Sequence, residues 1–451
     1  MPAVANSPKL KLPMHTADFV EWFRQAAPYI HAFRGRTFVI ALGGDVVRDG
    51  KFFQLTYDIN LLTSLGVRLV VVHGARPQIE ARLAEKGLET RYHHGMRVTE
   101  ANALECVIQA VGAVRVEIES LLSMGMPNSP MANADIRVSA GNFITAQPMG
   151  VRDGVDMMYT GEVRKVDTTA IRYRLDDGEM VLLSTIGYSP TGEVFNVPLE
   201  DIATSTAMAL KADKLLFLLD QPGVVSEEGE LLTDLTALDA EQLLAKHPHP
   251  HEDIKLYLPC AIRAVRHGVK RAHLVSHHVD GSLLMELFTH DGIGTMVSHE
   301  SLETLREATI DDVGGMLALI EPLEEDGVLV KRGRELIERE IHRYSVLEYD
   351  GRIIGCVAMH PFLENRMAEM ACLVVDPAYR EEDRGEQLLK HIEQQARSLG
   401  VRKLFVLTTR TAHWFVERGF APATVEDLPI ERKRLYNYQR RSKVFIKQIA
   451  I

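Results

Sequence analysis

Along the first 300 residues the apolar positions fall in short runs, each closed by glycine. Thr37–Leu42 is one, ending in Gly43-Gly44, and Val67–Val72 is another, ending in His73-Gly74-Ala75. Between and after them the spacing changes to the repeat of amphipathic helices, at Leu55–Leu65, stopped by Gly66, and at Pro77–Lys86, stopped by Gly87. Met180–Ser184, Lys214–Asp220 and Arg271–Ser276 read as further buried strands. Asp18–His31, Leu199–Lys211, Tyr257–His267 and Ser282–Phe288 read as further helices. Strand, loop, helix in repetition predicts an α/β fold with a mainly parallel sheet. Ligands of such sheets bind at the carboxyl ends of strands, where Gly43-Gly44 and Gly74 fall.

The rhythm changes near residue 300. Leu305–Ile310 reads as a strand and Asp311-Asp312 as the cap of a helix running to Leu319, with a second helix at Arg334–Ile341. Tyr344–Glu348, Arg352–Met359 and Met367–Val375 are strands in succession, the first two joined at a Tyr349-Asp350-Gly351 turn. A helix at Gly385–Leu399, a strand at Val401–Leu407 and a short helix at Ala412–Arg418 follow. This predicts two domains, an α/β unit over 18–298 and an α+β unit over 303–451, with a short junction between them.

Composition narrows the classes. The 451 residues are 46% hydrophobic and 25% charged, which excludes a disordered or collagen-like chain. A net charge of −11 argues against nucleic acid as a partner. Four scattered cysteines, Cys106, Cys260, Cys356 and Cys372, form neither a disulfide framework nor a zinc signature, so no metal and a reducing compartment are expected. No run reaches the roughly 18 apolar residues of a membrane span, and the first residues have no apolar core of signal-peptide type. A cytoplasmic protein without a membrane partner is the expectation. The prolines of His247-Pro248-His249-Pro250-His251 force extended backbone, so this segment reads as a surface loop and not a metal site.

The most informative stretch is Ala371–Leu389, ACLVVDPAYREEDRGEQLL. An apolar strand ends in Val375-Asp376-Pro377, a loop carries Arg380 and Arg384-Gly385, and a helix starts at once. Unsatisfied N–H groups at a helix N-terminus suit a pyrophosphate. Taken alone, the stretch serves equally as an ordinary strand–turn–helix with solvated arginines. It resembles the acetyl-CoA loop of GNAT-type N-acetyltransferases, V-x-P-x-x-R-x-x-G-x-G/A, but is one residue longer and has Glu386 for the last glycine. Those departures match the bacterial N-acetylglutamate synthases. Phe405–Arg410, His413-Trp414-Phe415, Glu417–Phe420, Tyr436–Lys443, Asn142-Phe143, Gln147-Pro148 and Gly150-Val151 resemble the same subfamily.

The resemblance, from about Val20 to Val444, implies a GNAT-type domain behind an amino-acid kinase-like open sheet sandwich. It implies acetyl transfer from acetyl-CoA, a co-substrate and not a tightly bound cofactor, to L-glutamate at the head of arginine biosynthesis. By resemblance Glu369 is the general base, acting through a water, and Thr408 the hydrogen-bond donor to the leaving sulfur. Cys372, Leu373, Val374, Val375, Arg380, Arg384 and Gly385 bind acetyl-CoA, and Val330, Arg332, Cys372, Arg440 and Ser442 bind glutamate. Arginine suits a planar carboxylate, which takes two parallel hydrogen bonds. Each residue also has a plainer reading: a solvated strand glutamate, a core thiol, a solvated basic tail. Glu369 and Cys372 would face opposite sides of a regular strand, so both line one pocket only if a bulge lies between them.

The first domain resembles acetylglutamate kinase, but Ala41 replaces the lysine of its K-x-G-G pattern, which implies a domain without kinase activity. The segment from Asp280 to Thr295 resembles the arginine-binding segment of arginine-inhibited acetylglutamate kinases. Tyr29, Lys214, Glu286, Gly292 and Gly294 are then the allosteric arginine site. The N-terminal helix would interlace subunits into a homo-oligomer, a hexamer in that family, or else pack on its own domain.

Overall fold

The structure, a computed structural model, describes residues 16–246, 251–289, 292–380, 383–437 and 442–449. The chain divides into two compact units, Met1–Glu300 and Ser301–Ile451.

The first unit is built on an eight-stranded sheet. Its strands are β1 (Thr37–Leu42), β2 (Arg68–His73), β3 (Val138–Ala140), β4 (Met180–Ser184), β5 (Lys214–Leu219), β6 (Asp234–Thr236), β7 (Arg271–Ser276) and β8 (Thr295–Ser298). Their order is β6-β8-β7-β5-β1-β2-β4-β3, parallel throughout except for β7 against β8. Val39, Ala41, Val70, Val72, Leu215 and Phe217 enter one core, while Phe38, Ile40, Leu42, Leu69, Val71, Leu216 and Leu218 enter the other. Burial on both faces is why these strands read as unbroken apolar runs. Helix α1 (Thr16–Phe33) docks through Phe33, whose ring lies 5.2 Å from Phe38 and 5.4 Å from Phe288. Helix α2 (Leu199–Leu210) buries Ile202, Ala203 and Ala207 against the sheet's core, and α3 (Ser282–Phe288) buries Leu283 and Leu287 on the other side.

Several features of this unit depart from the reading above. A four-stranded sheet formed by Ile144–Pro148, Gly161–Val166, Ile186–Tyr188 and Val194–Asn196 is made of strands too short and too mixed in polarity to announce themselves. The helix Ala101–Leu122 was not read either. The helix expected at Tyr257 begins at Glu252, because Glu252 and Asp253 suit its first turn and Pro259 is absorbed inside it.

The second unit carries a seven-stranded sheet. Its strands are β9 (Glu303–Glu307), β10 (Tyr344–Tyr349), β11 (Arg352–Phe362), β12 (Met367–Val375), β13 (Lys403–Thr408), β14 (Ala421–Ala423) and β15 (Lys443–Gln448), in the order β9-β10-β11-β12-β13-β15-β14. Only β12 and β13 pair parallel. Helix α4 (Val313–Glu325) covers one face, where Val313, Met316 and Ile320 meet Tyr344, Val346, Cys356, Ala358, Cys372 and Val374. Helix α6 (Arg384–Ser398) covers the other, where Leu388, Leu389, Ile392 and Ala396 meet Leu347, Val357, Met359, Ala368 and Met370. Two shorter helices are α5 (Arg334–Arg339) and α7 (Ile430–Arg434). The cap before α4 is a reciprocal Thr309–Asp312 box opening a short 3-10 turn, and Arg306 clamps Asp312 at 2.7 and 2.8 Å. Strand β15, not expected from the sequence, lies between β13 and the edge strand β14.

Candidate active site

The parallel pairing of β12 with β13 covers three residues, Met367–Glu369 against Lys403–Phe405. Beyond Glu369 the two strands part. β12 continues beside β11 to Val375, opposite Gly355, and β13 continues beside β15 to Thr408, opposite Lys443. A gap therefore opens at the centre of the sheet, and the inner edge of β12 from Met370 to Val375 faces no strand there.

The bulge that the face argument requires is present. Cys356 pairs with Val374 and Ala358 with Ala371, so Cys372 and Leu373 of β12 together oppose the single residue Val357 of β11. Cys372 takes up the extra residue at φ +50°, a left-handed conformation uncommon for a residue with a β-carbon. The phase shift brings Cys372 and Val374 onto the same face as Ala371, with α4 above them.

Glu369 stands where the strands part and is 7% exposed. Arg432, in the basic C-terminal stretch, donates from Nε at 2.5 Å and Nη2 at 3.0 Å to its two oxygens. This bidentate pair was missed in the sequence, because a cation 63 residues away leaves no periodic trace. Glu369's cross-strand partner is His360, which accepts at Nδ1 from Arg343 at 2.8 Å; burial holds this imidazole below its ordinary pKa.

Thr408 is buried at the end of β13, its hydroxyl 2.9 Å from that of Thr411 and accepting from the Thr411 N–H at 3.1 Å. Ser442 directly precedes Lys443, the partner of Thr408, and its carbonyl accepts from the Tyr436 hydroxyl at 2.6 Å. On the α4 side, the Arg332 guanidinium reaches Cys372 Sγ at 2.6 Å, and its backbone N–H donates to Glu324 at 2.6 Å. Burial raises the pKa of the Cys372 thiol against the opposing pull of Arg332, which favours the protonated form. Val330 is exposed two residues before Arg332. Arg440 lies outside the described residues, as do Glu381, Glu382 and His247–Pro250.

The loop after β12 separates its two arginines. Arg380 is exposed and donates to the Val375 carbonyl at 3.2 Å. Arg384 turns inward: it is 8% exposed, donates to Glu303 at 2.7 Å and lies over the Tyr379 ring at 5.1 Å. Where the resemblance expects positive charge for acetyl-CoA, its guanidinium also braces the loop, donating to the Tyr379 carbonyl. A β-carbon at Gly385 would approach the Trp414 indole to 3.3 Å, a tight contact.

In the first unit, Lys214, Glu286, Gly292 and Gly294 come together, joined by His273, which the sequence reading did not name. Lys214 Nζ lies 3.0 Å from His273 Nε2, and His273 Nδ1 lies 2.6 Å from Glu286 Oε1. The Ile293 and Gly294 N–H groups donate to Glu286 Oε2 at 2.8 Å each. Burial, with Lys214 beside it, lowers His273 to about 4, so a neutral imidazole links ammonium to carboxylate. Burial alone would raise Glu286, but His273 and the two backbone donors bring it below its ordinary value. A β-carbon at Gly292, where φ is +61°, would stand 2.6 Å from Glu286 Oε2. Tyr29 is half-buried on α1, its ring 6.0 Å from Phe33, over which the Lys214 ammonium lies at 5.3 Å.

A strand gap, a bulge beside it and a helix N-terminus behind a short loop define an acetyltransferase of the GNAT type. The acetyltransferase (GNAT) family model matches residues 315–420, and the amino acid kinase family model matches residues 36–276. The chain is 50% identical to the amino-acid acetyltransferase of Ralstonia nicotianae over 99% of both chains. It is 53% identical to that of Azotobacter vinelandii over 96% of this chain and 100% of the other. The chain belongs to the amino-acid acetyltransferase family. Among solved structures it is similar to N-acetylglutamate synthase from Neisseria gonorrhoeae complexed with coenzyme A and L-arginine. The TM-score is 0.88 and the identity 38%, over 96% of this chain and 100% of that one. Against the same enzyme complexed with coenzyme A and N-acetyl-glutamate the TM-score is 0.61 at the same identity and coverage.

Proposed function

We propose that the protein transfers the acetyl group of acetyl-CoA to the amino group of L-glutamate, giving N-acetyl-L-glutamate and CoA, and that L-arginine inhibits it. The reaction would open arginine biosynthesis. The observation that carries this reading is Glu369, a buried carboxylate held by Arg432 where β12 and β13 part. There it can take the proton of the attacking amine, directly or through a water. The inner edge of β12 at Leu373–Val375 offers N–H groups to pantetheine and to the thioester oxygen as charge develops on it. Thr408 lies at the far side of the gap to donate to the departing sulfur. The first turn of α6, with Gly385 and Arg380, receives the pyrophosphate. Val330, Arg332, Cys372, Ser442 and Arg440 form the glutamate site.

The first unit is the regulatory part in this reading. Arginine is a cation with a carboxylate, and the buried Glu286 gives its guanidinium a partner, with Lys214 and Tyr29 beside it. Inhibition requires that arginine bind two states of the enzyme with different affinity. Phe19, Trp22 and Phe23 are exposed on α1, which supports an oligomer joined through this helix, a hexamer by family resemblance. Among the described residues no helix is long and apolar enough to cross a membrane, and a cytoplasmic location is proposed with the biosynthetic role.

Thiol release from acetyl-CoA, followed with and without glutamate, tests the assignment. Release that depends on glutamate, is lost in Glu369→Ala and is suppressed by arginine is expected. Glutamate-independent release, or none, overturns it.

A further inference from the structure

We propose that the Tyr344 hydroxyl is a specificity-determining contact of the acceptor site, donating a hydrogen bond to the same substrate carboxylate that Arg332 binds. The proposal rests on the reading of Arg332 as a glutamate-binding residue. Tyr344 opens β10 and is 1% exposed, its ring packed with Val313, Met316, Val346 and Cys372. Its hydroxyl is buried and has no hydrogen-bond partner among the described residues. A buried tyrosine O–H normally finds one, and a group left without one calls for an explanation.

The neighbours say what is missing. The hydroxyl's neighbour is the Cys372 thiol, a weak partner at best, and Arg332 reaches that sulfur from its own side at 2.6 Å. Burial and the adjacent Cys372 push the phenol's ionisation well above its ordinary value, so it remains a neutral donor. A guanidinium and a phenol thus converge on a thiol, a weak acceptor. A carboxylate fits this pair: one oxygen can accept from Arg332 and the other from Tyr344. A side-chain amide fits worse, because its NH₂ would face Arg332 or Tyr344 in place of an accepting oxygen.

Tyr344→Phe in the full chain removes one oxygen and keeps the ring. The expected result is a glutamate KM raised about tenfold or more, with kcat within about twofold and the acetyl-CoA KM unchanged. The free variant should melt at or above the wild-type temperature, since an unsatisfied hydroxyl has gone, while the melting shift caused by added glutamate shrinks. Preference for glutamate over glutamine should fall in parallel. An unchanged glutamate KM and melting shift, or a lower melting temperature and kcat with KM unchanged, overturns the proposal. Arg332→Lys separates the two levels. If it raises the glutamate KM while Tyr344→Phe does not, only the Tyr344 assignment fails. If neither variant moves KM, the acceptor site itself is misassigned and the proposal falls with it.

Discussion

Glu369 and Arg432 act as one unit, a carboxylate and a guanidinium joined by two hydrogen bonds in a nearly buried place. Glu369→Gln keeps the shape and loses the base, so kcat should fall by about 10²–10⁴ with little change in the glutamate KM; steady-state thiol release measures both. Arg432→Ala instead strands the carboxylate and should lower stability by about 3 kcal/mol or more, read from chemical unfolding. A second buried carboxyl has no catalytic part. Asp58 is 8% exposed, and burial, then Asp280, raise it to about 7. Its folded pKa lies above the unfolded value of 3.8, so the stability it lends is full below that value and is lost as pH rises through 7. Between pH 5 and pH 8, unfolding free energies of Asp58→Asn should therefore gain on wild type by about 2–3 kcal/mol. A constant difference across that range would contradict it. Neither carboxyl declares its role in the sequence. Glu369 was reached through family resemblance, and Asp58 sits unremarked in an amphipathic helix until the fold closes over it.

At the scale of the element, the site depends on one extra residue in β12. Cys372 occupies it at φ +50°, which a β-branched side chain tolerates poorly. Cys372→Val should cost about 1–3 kcal/mol and reduce turnover by moving the face of Val374, whereas Cys372→Ala should stay active because no thiol chemistry is needed. Thermal unfolding and thiol-release kinetics on the two variants decide this, and an inactive alanine variant of normal stability would sink it. The need for a bulge could be argued in advance from the two-residue period of a strand. Its position could not, because the register of β11 against β12 fixes it. β15 was missed for a similar reason. Lys443–Gln448 mixes lysines with apolar residues and becomes a strand by lying between β13 and β14.

At the scale of the whole molecule, two anionic reactants meet a chain of net charge −11, so positive charge has to be gathered locally. The structure divides these cations: Arg332 reaches Cys372 and Arg380 the Val375 carbonyl, while Arg384 and Arg432 are tied to Glu303 and Glu369. The kinase-like unit keeps its glycines but has Ala41, 1% exposed between Val72 and Phe217, where a phosphate-binding lysine would stand. The full chain should release no ADP from ATP in the presence of N-acetyl-L-glutamate; measurable release would contradict this. Arginine should raise the melting temperature of the wild type and not of Glu286→Gln, which calorimetry can test. The sequence by itself determined the two-unit layout, the parallel and antiparallel character of the sheets and the strand–loop–helix of the acetyl-CoA segment, because continuous apolar runs, glycine stops and turn residues are local signals. Only the tertiary structure decided that Arg384 braces a loop, that Arg432 answers Glu369 and that His273 links Lys214 to Glu286. Charge pairs between distant segments are chosen by which side chains the closed core leaves facing each other, and no period along the chain records that choice.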